Sequence, residues 1–361
     1  MGATPLLFTP VQLGRLELRN RLVVSPMCQY AATEGNATAW HLQHLGAFAI
    51  SGAGLVILEA TAVEPTGRIT NGCLGLYSDA NEEALHRTLA AVREVALPGT
   101  RFGIQLSHAG WKASVRRPWE GGLPLAANEG RWETFGASAR SFGPGWPAPS
   151  ELDEPGLERV ERAFANAARR AVRLGFDLIE LHMAHGYLLH SFASPISNHR
   201  ADAHGGTQQG RHAFPLRVAE TVAQAVPQDV VVGARITGSD WLDGGIDVAD
   251  AAVLAAGLKR AGVSYVCVSS GGIVPDATIE VKPLYQVPFA AHVKRNASIT
   301  TIAVGMIRTP REAEKVIAEG DADLVAMGRN FHFDPRWPWL AARELGFELQ
   351  RPPQYMRKRA A

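Results

Sequence analysis

The stretch LERVERAFANAARRAVRLGFDLIELHMAHGY, residues 157–187, holds one complete structural unit. Leu157, Val160, Phe164, Ala168 and Ala171 recur three or four apart, the spacing of one helix face, and the arginines largely take the other. Pro149 and Asp153 precede it, and Gly175 supplies a left-handed stop. The periodicity then changes. Asp177–His182 is a short apolar run that reads as a strand buried on both faces. Polar residues follow it: His182, His185 and Tyr187. A helix feeding a buried strand is the repeating unit of a parallel α/β fold.

Outward from this unit the same alternation recurs. Apolar runs occur at Leu22–Met27, Leu55–Thr61, Arg101–Leu106, Asp177–His182, Val230–Ile236, Tyr265–Gly271, Ile299–Gly305 and Leu324–Arg329, eight in all. Each is followed by a segment able to form a helix. Thr309-Pro310-Arg311-Glu312 is a capping box with Pro at the first helical position, and Gly320 ends that helix. Asp247 opens another, which closes near Gly262. Eight alternations predict a single-domain (β/α)8 TIM barrel over residues 1–361. A doubly wound sheet should show G-x-G-x-x-G after its first strand, where this chain has Cys28-Gln29-Tyr30. Residues 107–150 form a long insertion after strand three, rich in Gly and Pro and holding Trp111, Trp119, Trp132 and Trp146. It reads as an ordered capping loop over one side of the barrel mouth. Residues 350–361 form a C-terminal tail.

Composition narrows the function classes. With 46% hydrophobic and 20% charged residues, the chain can bury a large core. Lys plus Arg number 36 against 35 Asp plus Glu, a net charge of +1, so neither nucleic acid nor an anionic membrane surface is expected as a partner. No apolar run reaches the ~18 residues needed to cross a bilayer. Cys28, Cys73 and Cys267 give no disulfide scaffold and no C-x-x-C pair, so no bound metal is expected. The N-terminal MGATPLLFTP lacks signal-peptide and myristoylation patterns, and a reducing cytoplasm is the expected location.

In an α/β barrel the chemistry lies at the C-terminal strand ends. Those ends read Ser25-Pro26-Met27-Cys28-Gln29-Tyr30, Glu59-Ala60-Thr61, Gln105-Leu106-Ser107-His108, His182 to Tyr187, Arg235, Ser269-Ser270-Gly271-Gly272, Val304-Gly305-Met306 and Met327-Gly328-Arg329. Gly305 and Gly328 let the backbone approach a ligand, Arg329 adds charge, and strands seven and eight often hold a phosphate in such barrels. The plainer reading makes these glycines tight turns. His182 and His185 can turn two N–H groups toward one acceptor; a metal reading would recruit His108 and Glu59, with no familiar zinc spacing, and the plainer reading is a satisfied buried histidine pair. Tyr187 is placed to give up a phenolic proton, or is structural. Arg235, at the end of a buried strand, must pair or meet an anion, and Gln105 suits the edge of a heterocycle.

The Ser25–Tyr30 run, the H-x-A-H-G-Y-L run at His182–Leu188, Ser269-Ser270-Gly271-Gly272 and Gly328-Arg329 resemble the Old Yellow Enzyme family of flavin ene-reductases. The Cys28 and Tyr30 pair is similar to its thermophilic-like branch, and the likeness runs from about Leu6 to Gln354-Tyr355. The resemblance implies an FMN at the barrel mouth, reduced by NADPH or NADH and reoxidised by an activated alkene (enone, enal, maleimide or nitroalkene). It implies that Ser25, Pro26, Met27 and Cys28 lie along the isoalloxazine, that Ala60 and Gln105 contact the ring, and that Arg235 stands near N1 and O2. Gly305, Gly328 and Arg329 would hold the phosphate. His182 and His185 would bind the substrate carbonyl, Tyr30 would line the substrate side, and Tyr187 would donate the proton. Cys28 would tune the flavin, or serve as a small apolar filler.

The chain departs from the family pattern R-T-D-x-Y-G-G-S and its following E-N-R. Here Arg200-Ala201-Asp202-Ala203-His204-Gly205-Gly206-Thr207 precedes Gln209-Gly210-Arg211. The Gln354-Tyr355-Met356-Arg357 tail resembles one that reaches a neighbouring subunit's site, which would make the protein a homodimer or homotetramer with Arg357 acting in trans. An exposed basic tail is the alternative. A flavin barrel with an iron–sulfur cluster needs more cysteines than this chain has. A non-redox phosphate-binding or metal-dependent barrel would want a strand-end Lys or a carboxylate cluster, and Lys112 and Lys282 lie in loops.

Overall fold

The computed structural model describes residues 4–356. Its centre is a closed barrel of eight parallel strands: β1 (Leu22–Val24), β2 (Leu55–Ala62), β3 (Arg101–Ser107), β4 (Leu178–Met183), β5 (Val231–Thr237), β6 (Tyr265–Ser269), β7 (Thr300–Ala303) and β8 (Leu324–Met327). They pair in chain order, and β8 closes on β1 through Val325↔Leu22. The expected (β/α)8 architecture is therefore observed. Several strands stop short of the apolar runs: Pro26 has no N–H for the ladder, and Arg329 already begins a short helix.

The helices between the strands are α1 (Ala39–Ala49), α2 (Asp79–Val95), α3 (Glu154–Arg173), α4 (Leu188–Ala193), α5 (Gln208–Ala225), α6 (Val248–Arg260), α7 (Val287–Ala297) and α8 (Pro310–Ala318), followed by α9 (Arg329–Phe333) and α10 (Trp337–Glu344). The caps read from sequence form. Asp153 accepts from the Gly156 N–H, Asp247 from Asp250, and Thr309 from Glu312. Gly175, with φ of 71°, ends α3 in the left-handed region.

Strand alternation sorts two apolar layers. Outward residues such as Val56, Ile104, Leu181 and Val266 pack against the helices. Inward residues, including Val23, Ile57, Leu178 and Ile302, fill the barrel. Leu13, Leu16 and Leu18, from an antiparallel hairpin of Val11–Leu13 with Leu16–Leu18, join this inner layer and close the barrel floor. Functional residues are left to the other end.

The 107–150 insertion is ordered by side-chain anchors. Trp111 donates through Nε1 to the Gly186 carbonyl at 2.6 Å, and Trp132 to that of Thr66 at 3.1 Å. The departures at 200–211 are accommodated locally. Arg200 pairs with Asp202 and donates to the Ala137 and Leu152 carbonyls, tying the insertion to the segment after β4. His204 contacts Glu154 on α3. Gly210 fits because a Cβ there would stand 2.2 Å from the Gly205 carbonyl oxygen.

Candidate active site

A cavity of about 650 Å³ opens at the C-terminal strand ends. Ser25, Pro26, Met27, His185, Arg235, Gly305, Gly328 and Arg329 line it. Its volume is in the range of small-molecule sites. Three guanidiniums border it: Arg235, Arg308 and Arg329. No Asp or Glu lines it, and among the described residues none of the three forms an ion pair. The Nε of Arg235 is buried with no partner, and its Nη2 reaches only the Ser269 Oγ at 3.4 Å. A cation so placed, with no carboxylate in ion-pair contact, suits an anion or an electron-rich edge. Gly305 has φ of +105°, and a Cβ there would stand 2.6 Å from Gln286 Nε2. Its lack of a side chain is thus a packing requirement as well as a turn requirement.

Ser270, a strand-end residue in the sequence, lines the same cavity, as do Arg308 and Gln286, which were missed in the sequence. Arg308 stands three residues beyond the strand-end Gly305, which was the available signal. Gln286 accepts from Ser270 Oγ at 2.7 Å, a pairing with no signature in sequence spacing.

The two histidines meet. Their rings are 5.0 Å apart and nearly perpendicular, with His185 Nδ1 3.3 Å from His182 Nε2. His182 Nδ1 accepts from the Ala184 N–H, which leaves its proton on Nε2. His185 Nε2 lies 2.7 Å from Ser269 Oγ. The pair is thus joined ring to ring instead of facing one acceptor, because each nitrogen has a nearby partner. An oxygen entering between them can take the His182 N–H. It can also take Nδ1–H of His185 if that ring changes tautomer and the Ser269 hydroxyl turns from acceptor to donor. Burial, reinforced by Arg235, pushes both histidines well below the usual imidazole range, so both are neutral donors.

The turn carrying them is held from beneath. His185 has φ of 60°, uncommon for a side-chain-bearing residue. Lys112 donates to its carbonyl and to that of Gly272. The Gly186 N–H donates to His190 Nδ1, and His190 Nε2 lies 2.9 Å from Asp240. Both members of that dyad are fully buried.

Cys28, Tyr30 and Tyr187 gather on an adjoining wall, packed on Ile69, Cys73, Ala109 and Val115. The Tyr187 ring is 5.0 Å from that of His182. Burial raises the phenols of Tyr30 and Tyr187 and the Cys28 thiol, so all three keep their protons. Ala60 and Gln105 are in register on β2 and β3, both buried. Glu59, displaced from the ladder at the β2 irregularity, accepts from the Gln29 N–H at 3.1 Å. Arg357 lies outside the described residues. Among those residues no group of three or more His, Cys, Asp or Glu side chains is placed to hold a metal ion, and no helix is long and apolar enough to cross a membrane.

Comparison with known proteins places the chain in a family. The family model described as "NADH:flavin oxidoreductase / NADH oxidase family" matches residues 6–347. A NADPH dehydrogenase of Geobacillus thermodenitrificans is 41% identical over 97% of this chain and 98% of its own. That of Bacillus subtilis is 39% identical over the same shares. Among solved structures, morphinone reductase superposes with a TM-score of 0.78 at 28% identity, covering 98% of this chain and 93% of its own. A 2-naphthoyl-CoA reductase, at 22% identity and TM-score 0.83, shares the fold over 94% of this chain and 52% of its own. The chain therefore belongs to the NADH:flavin oxidoreductase / NADH oxidase family, the Old Yellow Enzyme group of FMN- and nicotinamide-dependent oxidoreductases.

Proposed function

We propose that this oxidoreductase is an ene-reductase, acting on the C=C bond of alkenes activated by a carbonyl or nitro group. The observation that carries this reading is the neutral His182–His185 pair, joined to Ser269 beside Tyr187 at the edge of a cavity bordered by unpaired arginines. Bound FMN supplies the ring that accepts a hydride from NADPH or NADH and passes it on.

The residues present suit that group. Ser25, Pro26, Met27 and Cys28 would lie along its ring, with Ala60 and Gln105 at the ring edge. Arg235 would face the part that becomes negative. Gly305, Gly328 and Arg329 would hold the phosphate, with Arg308 as a further cation. His182 and His185 bind the substrate's activating oxygen and stabilise the charge that develops there. Tyr30 lines the substrate side. Tyr187, kept protonated by burial, gives its proton to the carbon that does not receive hydride. The C-terminal tail joins two copies in a homodimer or homotetramer, and Arg357 reaches the partner's site.

The purified protein should be yellow, bleach on anaerobic addition of NADPH, and regain its colour with an enone, enal, maleimide or nitroalkene but not with an unactivated alkene. Recolouring by oxygen alone would overturn the ene-reductase reading. Arg357→Ala should weaken substrate affinity in the oligomer and have no effect in an enforced monomer.

A further inference from the structure

Glu180 brings an ionisable group into the middle of the barrel, where it is 1% exposed. The roles proposed above leave it unused. Both carboxylate oxygens are engaged: Oε1 accepts from Gln105 Nε2 at 2.8 Å, and Oε2 from the Tyr265 hydroxyl at 2.9 Å. The strand register explains the meeting. Gln105 on β3, Glu180 on β4, Gly233 on β5 and Tyr265 on β6 are successive partners around the barrel. Gly233 is what lets the phenol cross β5, since a Cβ there would stand 1.9 Å from Tyr265 Cε1.

Two residues further along each strand, His182 pairs with Arg235 and Arg235 with Cys267. The carboxylate layer therefore lies directly beneath the guanidinium layer. Burial pushes the Glu180 carboxyl up on balance, with Arg235, Tyr265 and Gln105 opposing part of that push; both oxygens accept hydrogen bonds, which is the arrangement of the ionised form. Since Gln105 Nε2 can only donate, the contact fixes the amide, leaving Oε1 and one N–H for a partner above.

We propose that Glu180 is a positioning residue for bound FMN: it holds the Gln105 amide in one orientation and is the counter-charge that limits how strongly Arg235 favours the reduced ring. Taking up a hydride, two electrons and one proton, adds one negative charge to the ring. A guanidinium stripped of its counter-charge stabilises that extra charge more. The inference rests on the FMN site proposed above.

The test is the midpoint potential of FMN in the holoenzyme, with its visible spectrum. In Glu180→Gln the amide oxygen still accepts from Gln105, while the contact with Tyr265 reverses, the new N–H donating to the hydroxyl, so both contacts remain and the charge is lost. The potential should rise by about 30 mV or more, a tenfold stronger preference for reduced FMN. Glu180→Asp keeps the charge but draws it back from Gln105. Its potential should stay near wild type while FMN binds several-fold more weakly. Should Glu180→Gln fail to fold, Tyr265→Phe removes one donor, leaves the ring, and should raise the potential by less. Potentials unchanged in Glu180→Gln and Tyr265→Phe overturn the inference. Wild-type protein that binds no FMN overturns the reading of the cavity instead, before any variant is compared.

Discussion

Lys112 donates through Nζ to the main-chain carbonyl of His185 at 2.7 Å, and so holds a backbone that sits at φ of 60°. The same ammonium reaches the Gly272 carbonyl at 2.8 Å and lies 5.3 Å from the Tyr187 ring centroid. A lysine that looks like a loop residue in the sequence is thus the clasp of the histidine turn.

Lys112→Met should remove the donor from two part-buried carbonyls, at about 1 kcal/mol each. The melting temperature should fall and the KM for an enone should rise. A wild-type KM for the enone in a folded variant would remove Lys112 from any role in placing His185.

His182→Ala and His185→Ala should each retain FMN and reduction by NADPH. Each should lose about 10² to 10³ in alkene reduction, the usual cost of one preorganised donor to a developing oxyanion. Rapid-reaction kinetics separates the two half-reactions. Loss confined to reduction by NADPH would contradict the assignment.

Replacing Gly233 with Ala should be costly because the added methyl meets the Tyr265 ring and not a movable side-chain tip. Overpacking of this kind costs about 1–3 kcal/mol. In a double-mutant cycle, Tyr265→Val should recover much of the loss. Additive denaturation energies would show that the two positions do not collide.

Stability should decline below neutral pH. Burial lowers His44 and His212 to about 4. The unfolded chain therefore takes up protons near the ordinary imidazole pKa while the folded chain does not, and stability falls as pH drops below about 6.5. Glu64 is held at about 2, burial being outweighed by contact with His108, and Asp202 at about 2 by Arg200. Their stabilisation is present above about 4.5 and is lost as pH falls toward 2. Asp202 is half exposed, so its share is small. Melting temperatures measured from pH 7.5 to 4 should slope downward once pH falls below about 6.5; a level profile between 6.5 and 4.5 would contradict the buried-histidine argument.

The barrel was legible in the sequence because each strand is buried on both faces and each helix is not, so the two periodicities separate cleanly at residues such as Phe164 and Ile179. Strand-end reading also found Arg235, Gly305 and His185, which do line the cavity. It passed over Glu180, which lies two residues before His182 and gains its meaning from partners 75 and 85 positions away. Such partners depend on register across four strands, and register leaves no trace in local composition. Lys112 and Arg308 were hidden for a related reason: a long side chain from a loop acts where its tip arrives, not where its Cα lies.

With Leu13, Leu16 and Leu18 plugging one end, the cavity described above opens at the other. On the function proposed above, nicotinamide and oxidant are expected to use that opening in turn. Steady-state rates should give parallel lines in double-reciprocal plots, and an excess of either reactant should obstruct its counterpart.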